Sequence, residues 1–130
     1  MKTILFACVH NAGRSQIAAA LFNAMADPAK ARAISAGTQP GTRMHPEVEE
    51  TLREVGIDLS DVRPQLLTPE IAARTQVLIT MGCGEACPVV PGARVEDWPV
   101  EDPKGLPAGR VRQIRVGIRE RVLRLLQDNG

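Results

Sequence analysis

Short apolar runs and amphipathic segments alternate along this 130-residue chain. Residues 3–7 form an apolar run that is too short for a helix, which predicts a buried strand. From Ser15 onward, Ile17, Leu21 and Phe22 fall on one helical face, which predicts a helix. The same reasoning predicts strands at residues 32–35, 76–80 and 94–96, and helices at residues 46–55, around 68–70, and from 110 almost to the end.

The predicted helices carry their own boundary signals and buried faces. Gly56 is expected to end the helix at 46–55, and Thr68 to cap the short turn that follows it. In the last helix, apolar residues recur at helical spacing, and the arginines largely outside that stripe are interpreted as solvated rather than as a docking site. The predicted buried residues are Val48, Leu52 and Val55, then Val111, Ile114, Ile118, Val122 and Leu125; the arginines are Arg112, Arg115, Arg119 and Arg124.

Strands separated by helices predict an α/β fold. We expect one domain spanning residues 1–130, built on a four-stranded parallel sheet with helices on both faces. Functional loops of such sheets lie beyond the carboxyl ends of the strands, which directs attention to the loop after the first strand.

That loop pairs a cysteine with an arginine. Cys8 and Arg14 are separated by five residues, with Gly13 to relieve the turn and Ser15 to cap the helix. Successive backbone N–H groups and a helix N-terminus can wrap a tetrahedral oxyanion, and the same field, with Arg14, favours the nucleophilic thiolate of Cys8. The Arg14 guanidinium suits two oxygens of such an anion, and the Ser15 hydroxyl could donate to the sulfur. The alternative is a buried strand-end cysteine and an exposed arginine.

Composition narrows the class of protein. The net charge is +1 and the basic residues form no long block, so we expect neither a nucleic-acid partner nor a membrane partner. The three cysteines cannot all pair with one another, which fits reduced or catalytic thiols and a cytoplasmic location.

Two further thiols, Cys83 and Cys87, follow the third predicted strand. On a helix their spacing would place them on one face, near enough to exchange. A zinc pair completed by Cys8, His10 or His45 is one alternative, and a plain core role is another. Since the remaining ligands lack an ordered second pair, we predict no metal site.

Several motifs together resemble one known family. The segment at residues 8–16, Cys-Val-His-Asn-Ala-Gly-Arg-Ser-Gln, is similar to the oxyanion loop of the low-molecular-weight phosphatase superfamily, specifically its arsenate reductase branch. Further matches cover nearly the whole chain. They lie at Ser35-Ala36-Gly37-Thr38, Gly56-Ile57-Asp58, Met81-Gly82-Cys83, Asp97-Trp98 and Glu101-Asp102-Pro103.

The resemblance implies reduction of arsenate to arsenite in arsenic detoxification. Cys8 would attack arsenic while Asp102 acts as general acid, with Asp97 and Glu101 as weaker substitutes. Cys83 would then form a disulfide with Cys8, and Cys87 would resolve it. The resulting Cys83–Cys87 disulfide would pass to thioredoxin, or to a low-molecular-weight thiol with a glutaredoxin-like protein.

The resemblance also assigns supporting roles. Asn11 and Ser35 would brace the loop by hydrogen bonds. Some members bind potassium through an acidic residue on the first helix, but residues 17–20 are apolar here, so we predict no such site. We expect a monomer without a bound cofactor. The predicted oxyanion-binding residues are Val9, His10, Asn11, Ala12, Gly13, Arg14 and Ser15.

Two other functions stay open. A low-molecular-weight protein tyrosine phosphatase would use Cys8, Arg14 and Asp102 alone, and phosphatase activity could persist in a reductase. Such a site generally has aromatic walls, yet the chain has no Tyr, two Phe and one Trp. A non-catalytic oxyanion- or metal-binding regulator would need only the loop, or the Cys83 and Cys87 pair.

Overall fold

A computed structural model describes residues 2–59, 61–81 and 91–129 of the chain. Its strands are β1 (Lys2–Cys8), β2 (Ala31–Gly37), β3 (Val77–Thr80) and β4 (Arg94–Asp97). Its helices are α1 (Arg14–Met25), α2 (Pro46–Arg53), α3 (Pro69–Ala73) and α4 (Ala108–Asn129). None of the helices in these ranges is both long enough and apolar enough to cross a bilayer.

The four strands form one parallel sheet in the order β2-β1-β3-β4. β1 lies inside the sheet, and its last residue, Cys8, pairs with Gly37 at the end of β2. Parallel neighbours require crossover connections, which the intervening helices supply. The predicted α/β fold with a four-stranded parallel sheet is confirmed.

Alternate residues of β1 face opposite sides of the sheet, as the two-residue period of a strand requires. Ile4 and Phe6 are fully buried in the larger core with residues of α1, α2 and α4, whereas Leu5 and Ala7 pack in a smaller core with Ile71 of α3. Within the described residues, helices therefore cover both faces, three on one side and one on the other. Because both faces are covered, residues 3–7 read as a continuous apolar run.

Helix α2 ends earlier than the sequence pattern predicts. It stops at Arg53, and Gly56, with φ of 83°, donates its N–H to the Arg53 carbonyl. The prediction that Val55 is buried is wrong, since Val55 is 47% exposed in the turn after the helix. Val48 and Leu52 are fully buried as predicted, and the Thr68 hydroxyl accepts from the Ile71 N–H as the predicted cap of α3.

The apolar stripe of α4 is confirmed, since all five predicted residues are buried. The interpretation of its arginines as solvated is wrong for Arg115, whose side chain is only 15% exposed, whereas Arg112 is half-exposed as predicted. Arg112 and Arg115 both bind Glu54 just after α2, with nitrogen-to-oxygen distances of 2.8 and 3.0 Å. Arg115 also donates to the Thr51 carbonyl at 2.7 Å. These contacts fasten α4 to α2, so the arginines have a structural role between helices.

Candidate active site

Cys8 ends β1 beneath the loop that leads into α1, and only 3% of it is exposed. Its Sγ lies 2.9 Å from Oγ of Ser15, which is fully buried. The prediction that Ser15 caps α1 is wrong. The helix begins at Arg14 with Gly13 as its N-cap residue, so Ser15 already lies inside the first turn and its side chain faces the sulfur.

The hydrogen bonds around Asn11 leave the hydroxyl hydrogen of Ser15 available for the Cys8–Ser15 contact. Asn11 Oδ1 accepts from the main-chain N–H of Gln65 at 2.9 Å, which orients the amide. Its Nδ2 therefore donates to Ser15 Oγ, at 2.8 Å. Because the Ser15 oxygen accepts that bond, its own hydrogen is available to Cys8 Sγ. The Ser15 hydroxyl is therefore placed to donate a hydrogen bond to the sulfur of the candidate nucleophile.

Asn11 adopts a left-handed conformation, with φ of 52°, that asparagine tolerates better than most residues. Gln16 steadies it, since its Nε2 donates to both the main-chain and side-chain oxygens of Asn11, at 3.0 and 3.1 Å. The Ser35 carbonyl accepts from Nε2 of Gln65, at 2.7 Å, so Ser35 reaches Asn11 only through a third residue. Sequence reasoning included Gln16 in the motif at residues 8–16 without giving it a role, and it missed Gln65, which lies far from that motif in the chain.

Outward hydrogen bonds hold residues 8–14 in shape, and we call this segment the oxyanion loop after its predicted role. The carbonyls of Val9, His10 and Ala12 accept from the N–H groups of residues 39, 41 and 45. Since C=O and N–H point to opposite sides of a trans peptide plane, the N–H groups of residues 10, 11 and 13 are turned away from that segment. Amides turned to one side of a loop are the arrangement that an anion cradle needs.

Arg14 bridges the oxyanion loop and the segment after β4. Its Nη1 donates to the Val100 carbonyl at 3.1 Å, and its Nη2 lies 3.9 Å from a carboxylate oxygen of Asp102. The Arg14 side chain is 15% exposed and that of Asp102 is 48% exposed. Pro103 is buried 3.5 Å from the position that a Cβ on Gly13 would occupy, so it packs Asp102 against the loop.

The two alternative acids are engaged elsewhere. Asp97 accepts from the Thr80 hydroxyl at 2.7 Å. Glu101 pairs with Arg110, whose guanidinium lowers the pKa of that carboxyl. Asp102 is the one of the three that lines the pocket with Cys8 and Arg14.

Two histidines, His10 and His45, also line this pocket. Its other lining residues are Cys8, Ala12, Gly13, Arg14 and Asp102. His10 Nδ1 lies 3.1 Å from the Gln39 carbonyl, and because a carbonyl only accepts, that nitrogen carries a proton. His45 is the N-cap residue of α2, and its N–H donates to the Ala12 carbonyl at 3.1 Å. The sequence reasoning considered His45 only as a zinc ligand.

Cys83 and Cys87 lie outside the described residues. The chain enters that segment next to the site, because the Met81 N–H donates to the Ala7 carbonyl at 2.9 Å, one residue before Cys8. The predicted roles of both cysteines stay predictions.

Comparison with known proteins identifies the family. The model of the low molecular weight phosphotyrosine protein phosphatase family matches residues 3–129. The chain belongs to this family. The resemblance inferred from the motifs at residues 8–16 and beyond is therefore confirmed.

The similar proteins include several arsenate reductases. The glutaredoxin arsenate reductase of a Synechocystis species is 33% identical, with 97% of each chain covered. The thioredoxin-dependent arsenate reductase of Corynebacterium glutamicum is 38% identical with a TM-score of 0.81; the match covers 98% of this chain but only 60% of that longer one. An arsenate reductase solved in a phosphate-binding state is 30% identical over the full length of both chains, with a TM-score of 0.87.

Proposed function

We propose that this chain reduces arsenate to arsenite by thiol chemistry, as part of arsenic detoxification. The observation that carries the proposal is a buried cysteine whose sulfur faces a hydroxyl donor at a helix N-terminus, with Arg14 and Asp102 lining the same pocket. The names of the similar proteins support the substrate. Since the chemistry consumes reduced thiols, the cytoplasm is the fitting compartment.

In the first step, the Cys8 thiolate attacks the arsenic of a bound arsenate. A sulfur–arsenic bond forms and one arsenic–oxygen bond breaks, and Asp102 supplies a proton so that the oxygen leaves as water. Arg14 would turn from the Val100 carbonyl to bind two oxygens of the anion, which the fork of its guanidinium permits.

In the second step, the Cys83 thiolate attacks Cys8 Sγ. The sulfur–arsenic electron pair stays on arsenic, which is reduced by two electrons and leaves as arsenite, while a Cys8–Cys83 disulfide forms. Cys87 then attacks Cys83, which frees Cys8 and leaves a Cys83–Cys87 disulfide. An external reductant supplies the two electrons that reduce that bond, either as one thioredoxin dithiol or as two low-molecular-weight thiols acting with a glutaredoxin-like protein; both systems fit the similar proteins.

A Cys87→Ala variant tests the relay, with Cys8→Ser as the inactive control. With arsenate and thioredoxin as the only donor, Cys87→Ala should release about one arsenite per protein and then stop, with Cys8 and Cys83 joined. Peptide mass mapping detects that bond. Sustained turnover by Cys87→Ala, or no Cys8–Cys83 bond after arsenate, contradicts the three-thiol relay. Parallel assays of the wild type with each donor system identify the physiological class.

The phosphatase alternative lacks a wall for a phosphotyrosine ring. The chain has three aromatic residues of the Phe, Tyr and Trp types, and all three are buried in the core. The Phe6 ring contacts both others, with centroid distances of 6.2 Å to Phe22 and 5.5 Å to Trp98. Hydrolysis of an aryl phosphate measured beside arsenate reduction separates the activities, and oxyanion binding without either reaction would indicate a regulator.

A further inference from the structure

The side chain of Glu47 reaches from the first turn of α2 to the loop that carries Asp102. Its Oε2 accepts from the main-chain N–H of Gly105 at 2.6 Å. Glu47 and Gly105 are 58 residues apart, so this bond joins two distant segments. One residue before Pro46, the N–H of His45 donates to the Ala12 carbonyl. The beginning of α2 therefore touches both the oxyanion loop and the segment at residues 102–105, which we call the acid loop.

The acid loop is a tight turn, so fixing one end fixes the other. Asp102 Oδ1 accepts from the Lys104 N–H at 3.0 Å, and the Leu106 N–H donates to the Pro103 carbonyl at 3.1 Å. Gly105 has φ of 74°, a value that glycine adopts without strain. Asp102 itself is half-exposed, and its direct contact with the oxyanion loop is the 3.9 Å ion pair with Arg14. An exposed contact of that length holds the Asp102 carboxylate only weakly, although Pro103 beside it packs near Gly13.

The negative charge of the Glu47 carboxylate strengthens its hydrogen bond to the Gly105 N–H. The Gly105 N–H is the main cause that lowers the pKa of Glu47, and the protonated form of His45 would act in the same direction while Asp102 opposes it. A carboxylate acceptor makes a stronger bond to an N–H than a neutral oxygen does. The first turn of a helix also favours negative charge.

We propose that Glu47 is a positioning residue that holds the acid loop over the oxyanion pocket through Gly105. The proposal rests on the proposed function, because the loop matters only if Asp102 delivers the proton. Without this bond, Asp102 spends part of its time away from the leaving oxygen, which slows the first step and leaves arsenate binding by the oxyanion loop intact.

Three variants test the proposal. Glu47→Ala removes the acceptor, Glu47→Gln keeps an acceptor without the charge, and Glu49→Ala removes a carboxylate from the same helical turn. Residue 49 lies about 200° around the helix from residue 47, so it controls for loss of first-turn charge. The readouts are the single-turnover rate of arsenite formation, the arsenate concentration giving half that rate, and hydrogen exchange of the Gly105 amide by NMR.

We expect Glu47→Ala to lower the single-turnover rate about fivefold to tenfold, with half-saturation changed less than about twofold. Glu47→Gln should recover most of the rate, and Glu49→Ala should match the wild type. The Gly105 amide should exchange faster in Glu47→Ala alone. In an Asp102→Asn background, Glu47→Ala should lower the single-turnover rate only slightly further, because both changes act on the same proton transfer.

An unchanged single-turnover rate in Glu47→Ala overturns the proposal. It is also overturned if Glu47→Ala lowers that rate by the same factor in the Asp102→Asn background as in the wild type. A Gly105 amide that exchanges no faster in Glu47→Ala overturns it as well. Failure of the proposed function gives a different result, since the wild type would then form no arsenite, or Asp102→Asn would be as fast as the wild type. In that case the Gly105 exchange still decides whether Glu47 holds the loop.

Discussion

Gly37 is the position where one added methyl group should cost the most activity. Gly37 pairs with Cys8 where β2 and β1 end, and the oxyanion loop passes directly over it. A Cβ at residue 37 would lie 2.5 Å from the Val9 carbonyl oxygen and 3.0 Å from the Asn11 nitrogen. A carbon and an oxygen approach to about 3.3 Å without strain, so the Val9 carbonyl must move by roughly 0.8 Å.

The surroundings leave Gly37 little freedom to move instead. Its N–H donates to the Gln65 carbonyl, and its carbonyl accepts from the Leu67 N–H, both at 2.9 Å. We expect Gly37→Ala to lower the free energy of unfolding by about 1–3 kcal/mol, the usual cost of overpacking. A displacement approaching 1 Å in the loop that positions the oxyanion should lower arsenate turnover about 100-fold.

Gly41→Ala is the matched control, since a Cβ there would meet its nearest atoms only at 3.9 Å, although Gly41 also donates to the oxyanion loop. Urea unfolding measures stability, and calorimetric titration with arsenate separates binding from turnover. Wild-type turnover and stability in Gly37→Ala would show that the close approach of Gly37 to the loop is not required. Losses of turnover and stability in Gly41→Ala as large as those in Gly37→Ala would show the same.

Three further changes test the site and the helix contact. Arg14→Lys should lower kcat/KM for arsenate about 10- to 100-fold through lost two-point binding; near-wild-type efficiency would contradict that role. Ser15→Ala should cost about 1–3 kcal/mol in urea unfolding, because it strands the buried Asn11 amide; unchanged stability would count against this bond. Arg112 lowers the pKa of Glu54 to about 2 from 4.5, so Glu54→Gln should lose stability relative to wild type above pH 4.5. The stability difference between the wild type and Glu54→Gln should shrink as the pH falls toward 2, because Glu54 becomes protonated. A stability difference that does not change with pH would show that the charge of Glu54 is not its cause.

Local signals in the sequence determined the elements and the position of the candidate nucleophile, Cys8. The apolar run at residues 3–7 predicted β1, and the stripe from Val111 to Leu125 predicted the buried face of α4. Such patterns are readable because burial repeats with the period of each element. The spacing of Cys8 and Arg14 located the loop for the same reason, since both residues belong to one short strand–loop–helix unit.

Predictions failed where a boundary or a side-chain partner depended on the rest of the fold. Val55 continues the apolar pattern of α2, but the helix ends before it and the residue is exposed. Ser15 has the composition of a helix cap, yet its hydroxyl is committed to Asn11 and Cys8. Arg115 was predicted to be solvated, but the packing of α4 beside α2 leaves its side chain only 15% exposed and bonded to the Thr51 carbonyl.

The supports of the site were decided by tertiary structure alone. Gln65 reaches Asn11 across 54 residues of sequence, and Glu47 reaches Gly105 across 58. Neither residue carries a local signal, because a lone Gln or Glu is also what an exposed turn or a first helical turn favours. The sequence by itself determined which residue types could do the chemistry, and the packing of α2 and of the segment before α3 determined what holds them in place.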